Sequence, residues 1–298
     1  MDMCWIDGKI LPATQASVNV LDHGLLYGDG VFEGMRFRHG RLFRPQAGLD
    51  RLHRSAAALR LSIPLGREEI MAALAELISA HGQATGADNG YIRLVVTRGV
   101  GRLGIDPATC PKSGLFMIAG QLSMASTQAR ASGARLIIAS TRKPGPETLD
   151  QRIKSLNYLH NIMARMEATH AGADEAIMLN THGFVAEGTA ESVFIVSNGR
   201  LLTPPTEDGA LEGITREAVL QIAQRLGLPA RTQRMAPYDL YTADEMFLTG
   251  TGLGLLPVAE VDGRKMKSSP GEVYTAIHAE FEKLVDEETR QGISRVYT

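Results

Sequence analysis

The sequence predicts a two-domain α+β protein, with a small N-terminal α/β domain over residues 1–122 and a larger mixed α/β domain over residues 134–298. Three observations lead to this fold class. Short β-rich segments with hairpin turns alternate with two helical segments in the first part of the chain. Residues 123–133, SMASTQARASG, are small and mostly polar, which is typical of a linker. Strands and long helices follow beyond it, as expected of a second domain.

The N-terminal domain is predicted to contain hairpins and two helices. The segment WIDGKI carries an Asp-Gly turn, VFEGMRFRHGRLFR alternates around a His-Gly turn, and GYIRLVVTR is rich in β-formers. Between them, LDRLHRSAAALRL and REEIMAALAELISAHG have apolar residues at helical spacing, so each predicts an amphipathic helix. The domain ends near the strand-like segment GLFMIAGQL.

The second domain is predicted to begin with the strand ARLIIAS and the long helix NYLHNIMARMEATHAG. The strands that come next are EAIMLN, GFVAEG, SVFIVSNGRLLT and EMFLTG. Two further amphipathic helices, ITREAVLQIAQRLG and PGEVYTAIHAEFEKLVDEET, complete the domain. A mixture of strands and helices of this kind predicts a sheet covered by helices.

Composition favours a small molecule as the partner. The chain has 298 residues, of which 44% are hydrophobic and 21% charged, and its net charge is -2. No basic run is present to bind nucleic acid or an anionic membrane. The N-terminus lacks the features of a secretory signal, and no apolar run approaches the roughly 20 residues of a membrane helix, so we expect a cytoplasmic protein. Neither the two cysteines nor the eight histidines have metal-ligand spacing, so we expect no metal and no disulfide.

The segment GVGRLG suggests a dinucleotide-binding loop, because Gly99, Gly101 and Gly104 satisfy the GxGxxG pattern after a predicted strand. That pattern requires a helix immediately afterwards and an acidic residue about 20 positions further on. The chain continues instead with IDPATCPKSG, which contains two prolines and no helical periodicity. We therefore predict a loop beside the active site or a surface turn, and not a dehydrogenase.

Two segments of the second domain carry residues suited to chemistry. Lys154 precedes the predicted long helix and Tyr158 follows four residues later, so both are expected near one helical face. Glu187 interrupts an apolar strand just before Gly188, which is a poor place for a carboxylate without a partner. Each residue also has an ordinary explanation, namely a surface lysine, a core tyrosine and an exposed strand-end glutamate.

Two further segments are predicted to bind an anion. Gly213, Ile214 and Thr215 begin an amphipathic helix, where unpaired backbone N–H groups suit a phosphate. Thr251 lies between glycines after a strand, where a hydroxyl and exposed amides can form a second anion-binding turn, although a plain glycine turn is common there. A lysine amine, a carboxylate and a phosphate cradle are together the groups that pyridoxal 5'-phosphate (PLP) requires.

The motifs and their order resemble those of branched-chain amino-acid aminotransferases, which are class IV, or fold type IV, PLP enzymes. The shared segments cover nearly the whole chain and are YGDGVFEGMR, RLHRSA, YIRLVVTRGVGRLGIDP, RIKSLNYLHNI, HAGADEAIML, AEGTAES, LEGITRE, LYTADEMFLTGTG and PVAEVDGR. The resemblance implies a small N-terminal domain, a large PLP-binding domain, and a homodimer or higher homo-oligomer. It further implies that both subunits contribute residues to each active site.

The resemblance also assigns roles to individual residues. It implies that Lys154 is the catalytic Schiff-base lysine, that Glu187 contacts the pyridine nitrogen and that Tyr158 contacts the 3-hydroxyl group. The other cofactor-binding positions, which hold the phosphate or pack on the ring, are Arg51, Leu211, Gly213, Ile214, Thr215 and Thr251. The substrate-binding positions are Phe32, Gly34, Tyr91, Arg93 and Gly252, with Tyr27, Leu103 and Ile105 lining the neighbouring subunit's pocket.

The implied reaction is ping-pong transamination between a branched-chain L-amino acid and 2-oxoglutarate, with a place in branched-chain amino acid biosynthesis. Lys154 would act as general acid and base, with Glu187 keeping the pyridine nitrogen protonated. The chain departs from the family in the segments EGTAES, TGTGLG and FEGMRFR, where Gly252 and Leu253 replace two alanines. A D-amino-acid aminotransferase, an (R)-amine transaminase, an aminodeoxychorismate lyase and a non-catalytic PLP-fold binding protein remain alternatives.

Overall fold

The computed structural model describes residues 1–291 of the chain, which form two compact units. The first unit comprises residues 1–122, 153–157 and the described residues from 285 onward, and the second comprises residues 123–152 and 158–284. The predicted domain limits had placed residues 153–157 in the second domain. No helix within residues 1–291 is both long enough and apolar enough to cross a bilayer.

The first unit contains one six-stranded sheet and the helices that pack on it. The strands are β1 (Met3–Ile6), β2 (Lys9–Pro12), β3 (Gly30–Arg38), β4 (Arg41–Leu42), β5 (Gly90–Thr97) and β6 (Gly114–Gly120). The helices are α1 (His23–Tyr27), α2 (Pro45–Ala58) and α3 (Arg67–Thr85). The strand order is β2-β1-β6-β5-β3-β4, and the neighbouring strands run antiparallel.

Local sequence signals explain these elements. Asp7 and Gly8 have φ values of 50° and 76°, the left-handed geometry that a two-residue hairpin loop between β1 and β2 requires. The turn between β3 and β4, at His39 and Gly40, has the same geometry. The apolar faces of α2 and α3 bury side chains such as Leu49 against the sheet, forming the core of this unit. The predicted hairpins and both predicted helices are therefore confirmed.

The second unit contains a nine-stranded mixed sheet. The strands are β7 (Ala134–Ile138), β8 (Glu175–Leu179), β9 (Val185–Gly188), β10 (Ser192–Ser197), β11 (Arg200–Thr203), β12 (Ala230–Thr232), β13 (Glu245–Gly250), β14 (Gly254–Val261) and β15 (Arg264–Lys265). The helices are α4 (Thr127–Ser132), α5 (Pro146–Leu149), α6 (Leu159–His170), α7 (Ile214–Arg225), α8 (Pro237–Tyr241) and α9 (Glu272–Gln291), whose end lies in the first unit. The strand order is β12-β11-β10-β13-β14-β7-β8-β9, and β15 pairs with β14.

The sheet of the second unit combines parallel and antiparallel pairs. The pairs β14-β7, β7-β8 and β11-β12 are parallel, and the others are antiparallel. The long strands and helices predicted from the sequence are present, whereas the predicted linker includes the short helix α4. Two sheets with packed helices confirm the predicted α+β class.

Candidate active site

In the first unit, one face of the sheet brings together four predicted substrate-pocket residues. Gly34 of β3 lies opposite Arg93 of β5, and every second residue of a strand points to the same side. Phe32, Gly34, Tyr91 and Arg93 therefore share a face. A Cβ at position 34 would clash with the Tyr91 hydroxyl, so the phenol packs directly against the glycine backbone.

Lys154 joins this cluster through its backbone. Phe32 N–H donates to Lys154 O at 2.9 Å, and Lys154 N–H donates to Ser55 Oγ at 3.1 Å. The Lys154 Nζ lies 4.6 Å from the centre of the Phe32 ring, and the Arg93 guanidinium lies 4.4 Å from the same ring. The lysine is thus fixed beside β3 with its amine over the pocket face.

The expected placement of Lys154 and Tyr158 near one helical face is wrong. Helix α6 begins only at Leu159, and Tyr158 is the residue that precedes it. Lys154 lies in an extended segment whose next residue, Ser155, forms an antiparallel bridge with Val31 of β3. The physical reason is that pairing with β3 satisfies backbone groups that a longer helix would have had to satisfy itself.

Arg51 is held by a residue that the sequence analysis missed. Its Nε and Nη2 donate to Glu33 at 2.9 Å and 2.6 Å, and the Glu33 side chain is 0% exposed. Glu33 Oε1 also accepts from Gly34 N–H at 2.8 Å. A charge inside an apolar core requires such a partner, and a glutamate within the apolar segment VFEGM was the signal available in the sequence.

Tyr27, Leu103 and Ile105 lie on the surface of the first unit. Leu103 is 77% exposed and Ile105 is 84% exposed, while the Tyr27 hydroxyl accepts from Gly104 N–H at 2.9 Å. The GxGxxG segment continues into a short 3-10 turn, Pro107–Thr109, and then into β6. The helix that a dinucleotide site requires is therefore replaced by a loop, as predicted.

In the second unit, Glu187 lies at the end of β9 and is 7% exposed. Its Oε1 accepts from Lys143 Nζ at 2.7 Å, and its Oε2 accepts from Leu211 N–H at 2.9 Å. Glu187 thus has two protein partners that the sequence did not predict, and the alternative of an exposed strand-end glutamate is excluded. Two carboxylate oxygens offer about four acceptor positions in all, so further donors can still bind.

Lys143 was also missed by the sequence analysis. Its side chain is 1% exposed, and its Nζ lies 3.3 Å from Asn161 Oδ1 in addition to its contact with Glu187. In the sequence it stands in the loop segment TRKPGP, where a lysine is ordinarily a surface residue. No local pattern distinguishes it.

The two positions predicted to bind an anion lie at a helix start and a turn of this unit. Helix α7 begins at Ile214 after Gly213, with no side chain capping it, and a Cβ at Gly213 would lie 2.7 Å from Ser192 Oγ. Ser192 pairs in register with Thr249 of β13. The buried Thr249 Oγ1 makes no hydrogen bond within the described protein. Thr251 and Gly252 form the turn that follows β13.

These groups fit PLP. A helix start with unpaired N–H groups and a buried hydroxyl that makes no hydrogen bond in the described structure suit a phosphate, because both can donate to an anion. The second unit also offers the buried Glu187 carboxylate, and the first unit, taken by itself, offers the Lys154 amine. Among residues 1–291, no group of three or more His, Cys, Asp or Glu residues could hold a metal ion.

Comparison with known proteins identifies the class. A family model described as amino-transferase class IV matches residues 30–261. The chain therefore belongs to the class IV aminotransferases, and it is a PLP-dependent enzyme, as the sequence predicted. This excludes the alternative of a non-catalytic binding protein.

Within that class, the relatives are branched-chain aminotransferases. A Methanocaldococcus jannaschii protein, provisionally named a branched-chain-amino-acid aminotransferase, is 42% identical over 294 residues, covering 98% of both chains. The Escherichia coli K12 branched-chain-amino-acid aminotransferase is 32% identical, covering 88% of this chain and 85% of its own. A Thermoproteus uzoniensis branched-chain aminotransferase solved with norvaline has a TM-score of 0.86 and 34% identity, covering 97% of this chain and 96% of its own.

Proposed function

We propose that this enzyme transfers the amino group between an L-branched-chain amino acid (leucine, isoleucine or valine) and 2-oxoglutarate. The observation that carries the proposal is the face of β3 and β5 beside Lys154. There the Phe32 ring and the Arg93 guanidinium stack 4.4 Å apart. A ping-pong enzyme must accept both partners in one pocket, so the ring suits an aliphatic side chain and the guanidinium suits a distal carboxylate.

Lys154 and Glu187 have the central roles in this proposal. Lys154 Nζ would hold the cofactor covalently and, when free, would move the proton at the substrate Cα. When bound, the cofactor would supply an electron sink for that proton transfer. Glu187 would accept a hydrogen bond from the pyridine nitrogen, and Tyr158 would contact the 3-hydroxyl group.

The remaining cofactor positions orient the molecule. The residues proposed to hold the phosphate are Arg51, Gly213, Ile214, Thr215 and Thr251. The proposal for the helix α7 positions is supported by the N–H groups at its uncapped start. Leu211 is proposed to pack on the ring, and its N–H already fixes Glu187.

We further propose a homodimer in which Tyr27, Leu103 and Ile105 complete the pocket of the neighbouring subunit. Two large aliphatic side chains exposed on one loop support this assignment, because such groups ordinarily mark a contact surface. On helix α6, Leu159 and Met166 are also exposed and can be covered in the same assembly. The cytoplasmic location stays a prediction from the sequence.

The turn after β13 bears on substrate choice. Gly252 lies where the resemblance to the family implies an alanine. Leu253 packs in the core of its unit, and its carbonyl accepts from Arg130 at 3.2 Å. The backbone of this turn is proposed to receive the substrate carboxylate. A shift of the substrate carboxylate would reverse the orientation of the substrate in the pocket and favour D-amino acids or (R)-amines. The proposed preference for L-amino acids therefore depends on this turn.

The proposal is tested by a screen of amino donors with 2-oxoglutarate as the acceptor. Each methylene buried in an apolar pocket contributes about 0.8 kcal/mol, so L-leucine is expected to exceed L-alanine in kcat/KM by about one to two orders of magnitude. L-valine and L-isoleucine should rank with L-leucine. D-Alanine, D-glutamate and (R)-1-phenylethylamine are the comparison donors. A higher kcat/KM for any of these three than for L-leucine would overturn the proposed substrate and leave PLP-dependent transamination intact.

A further inference from the structure

Lys143 is a buried cation without a role in the function proposed above. Its ammonium group contacts Glu187 at 2.7 Å, with 1% of the lysine side chain and 9% of the glutamate side chain exposed. Removing two charges from water is costly, and a pair of this kind is often no more stable than apolar residues of the same size. Stability alone is therefore a weak reason for this pair.

A neighbouring glutamate shows what burial does without a cation in hydrogen-bond contact. Glu191 lies four residues after Glu187, and its carboxylate accepts from Ala190 N–H at 3.0 Å. Burial, and then the charge of Glu175, raise the pKa of Glu191 and so favour its protonated form. Glu187, in contrast, has an ammonium group against its Oε1.

We propose that Lys143 is a positioning residue that keeps the Glu187 carboxylate ionised, so that the proton between Glu187 and the cofactor's pyridine nitrogen stays on the nitrogen. This inference rests on the proposed role of Glu187. In a site of low polarity, a neutral acid beside a neutral base competes with the ion pair, because separated charges are poorly solvated there. A cation in contact with the carboxylate favours the ionised form.

The geometry favours the effect of Lys143 on Glu187 over its effect on the cofactor ring. Electrostatic energy falls with distance, and Lys143 Nζ is in direct contact with the carboxylate. A ring nitrogen that bound the carboxylate from another side would lie farther from the ammonium, so the attraction to Glu187 would exceed the repulsion of the protonated ring. Leu211 N–H holds the other oxygen and limits rotation of the carboxylate.

Other nearby groups do not replace Lys143. Burial, and then the charge of Lys143, lower the pKa of His160 to about 4, so this ring is neutral at neutral pH. Arg216 donates to Thr203 Oγ1 at 3.3 Å and to Pro204 O at 3.0 Å. Lys143 is thus the cation in hydrogen-bond contact with Glu187 among the described residues.

The test measures directly whether the ring nitrogen of the cofactor is protonated. The enzyme is reconstituted with PLP labelled with 15N at the ring nitrogen, and the 15N chemical shift is measured at neutral pH. Lys143→Met and Lys143→Gln are expected to move the signal from the protonated towards the unprotonated position. They should also slow the first half-reaction by about tenfold. Lys143→Arg, which keeps the charge, should retain the wild-type signal.

Three controls separate the possible failures. Lys267→Met removes an exposed lysine that pairs with Asp244, and it should change neither the shift nor the rate. Borohydride reduction followed by peptide mapping should place the cofactor on Lys154 in every variant. Glu187→Gln should move the signal whether or not Lys143 matters. An unmoved signal in Glu187→Gln would overturn the proposed role of Glu187, and this inference with it.

The inference alone is overturned if Glu187→Gln moves the signal while Lys143→Met or Lys143→Gln retains it. If Lys143→Met does not fold, Lys143→Gln decides, because the amide keeps hydrogen-bonding capacity without charge. Loss of PLP binding in both neutral variants, with Lys143→Arg intact, would show that Lys143 builds the site and would likewise overturn the inference.

Discussion

The ion pair between Arg51 and Glu33 lies inside the first unit, between helix α2 and strand β3. Both nitrogens in contact are within 2.9 Å of the carboxylate, and the glutamate side chain is 0% exposed. Removing one member of a buried pair leaves the other charge uncompensated, which typically costs 3 to 5 kcal/mol. A bound phosphate beside Arg51 would replace much of that compensation.

Glu33→Gln is therefore expected to lower the free energy of unfolding of the cofactor-free enzyme by about 3 kcal/mol, and that of the PLP-bound enzyme by clearly less. Denaturant unfolding with and without PLP measures both values. The control is Asp50→Asn, which breaks the exposed pair with Arg67 and should cost less than about 1 kcal/mol in both states. Equal losses with and without PLP would contradict the proposed contact between Arg51 and the phosphate.

The predictable part of the site consists of residues whose role shows in local sequence. Glu187 interrupts an apolar strand, and Gly213 and Ile214 stand where an amphipathic helical pattern begins. The motifs around Lys154 carry the family resemblance. Glu33 stands in an apolar segment, which signals a buried charge but does not reveal its partner Arg51, 18 residues away. Lys143 has no local signal, and its partner Glu187, 44 residues away, is revealed only by coordinates.

At the scale of elements, one side chain ties helix α6 to the loop after β7. The Glu167 carboxylate accepts from the backbone N–H groups of Ser140 and Thr141, at 2.6 Å and 3.0 Å, and from both hydroxyl groups. Burial raises the pKa of Glu167, but the hydrogen bonds from Thr141 and Ser140 together outweigh it and hold the pKa at about 2. The folded state thus favours the ionised form of the Glu167 carboxyl group.

A carboxyl group whose pKa is lower in the folded than in the unfolded chain stabilises the fold above its unfolded pKa, here 4.5, and loses that effect as pH falls to about 2. Glu167→Gln should therefore be less stable than the wild type at pH 7, with the difference shrinking between these two values. Urea unfolding at several pH values measures the difference. Glu76→Gln, at an exposed position on α3, is the matched control. A difference that stays constant with pH would contradict the role of these hydrogen bonds.

The sequence analysis missed the strands β12, β14 and β15, of which β14 is the longest. It contains Gly254 at its start and Pro257 in its interior, and proline ordinarily argues against a central strand because it lacks an N–H donor. In the structure Pro257 pairs with Phe247 of β13, and the register on the β7 side shifts between Val258 and Glu260. Pairing with neighbouring strands therefore outweighs the local preference of proline against a central strand. A pattern in a single sequence does not show this pairing.

At the scale of the whole molecule, the proposed dimer can be tested by mixing two inactive variants. Lys154→Ala removes the catalytic amine, and Ile105→Asp places a charge in the loop proposed to serve the partner's pocket. If Ile105 acts across the dimer, each mixed dimer has one site with both an intact lysine and an intact loop. Co-expression should then restore activity that neither variant shows alone.

Differently tagged subunits allow the mixed dimers to be purified, and their kcat/KM is compared with that of the wild type. About half of the wild-type activity per dimer is expected, because one site of two is intact. Ala58→Asp, at the end of α2, can replace Ile105→Asp as a control for a generic surface charge. If both variants are inactive alone, failure of the mixed dimer to regain activity would show that Ile105 acts within its own subunit.

The close approach of Tyr91 to Gly34 couples these two positions in any redesign of the pocket. A Cβ at position 34 would clash with the Tyr91 hydroxyl, so a larger residue there requires the phenol to move or position 91 to change as well. Substitutions at the two positions are therefore expected to be non-additive. Laboratory libraries that vary positions 34 and 91 together should reach pocket shapes that libraries at either position alone miss.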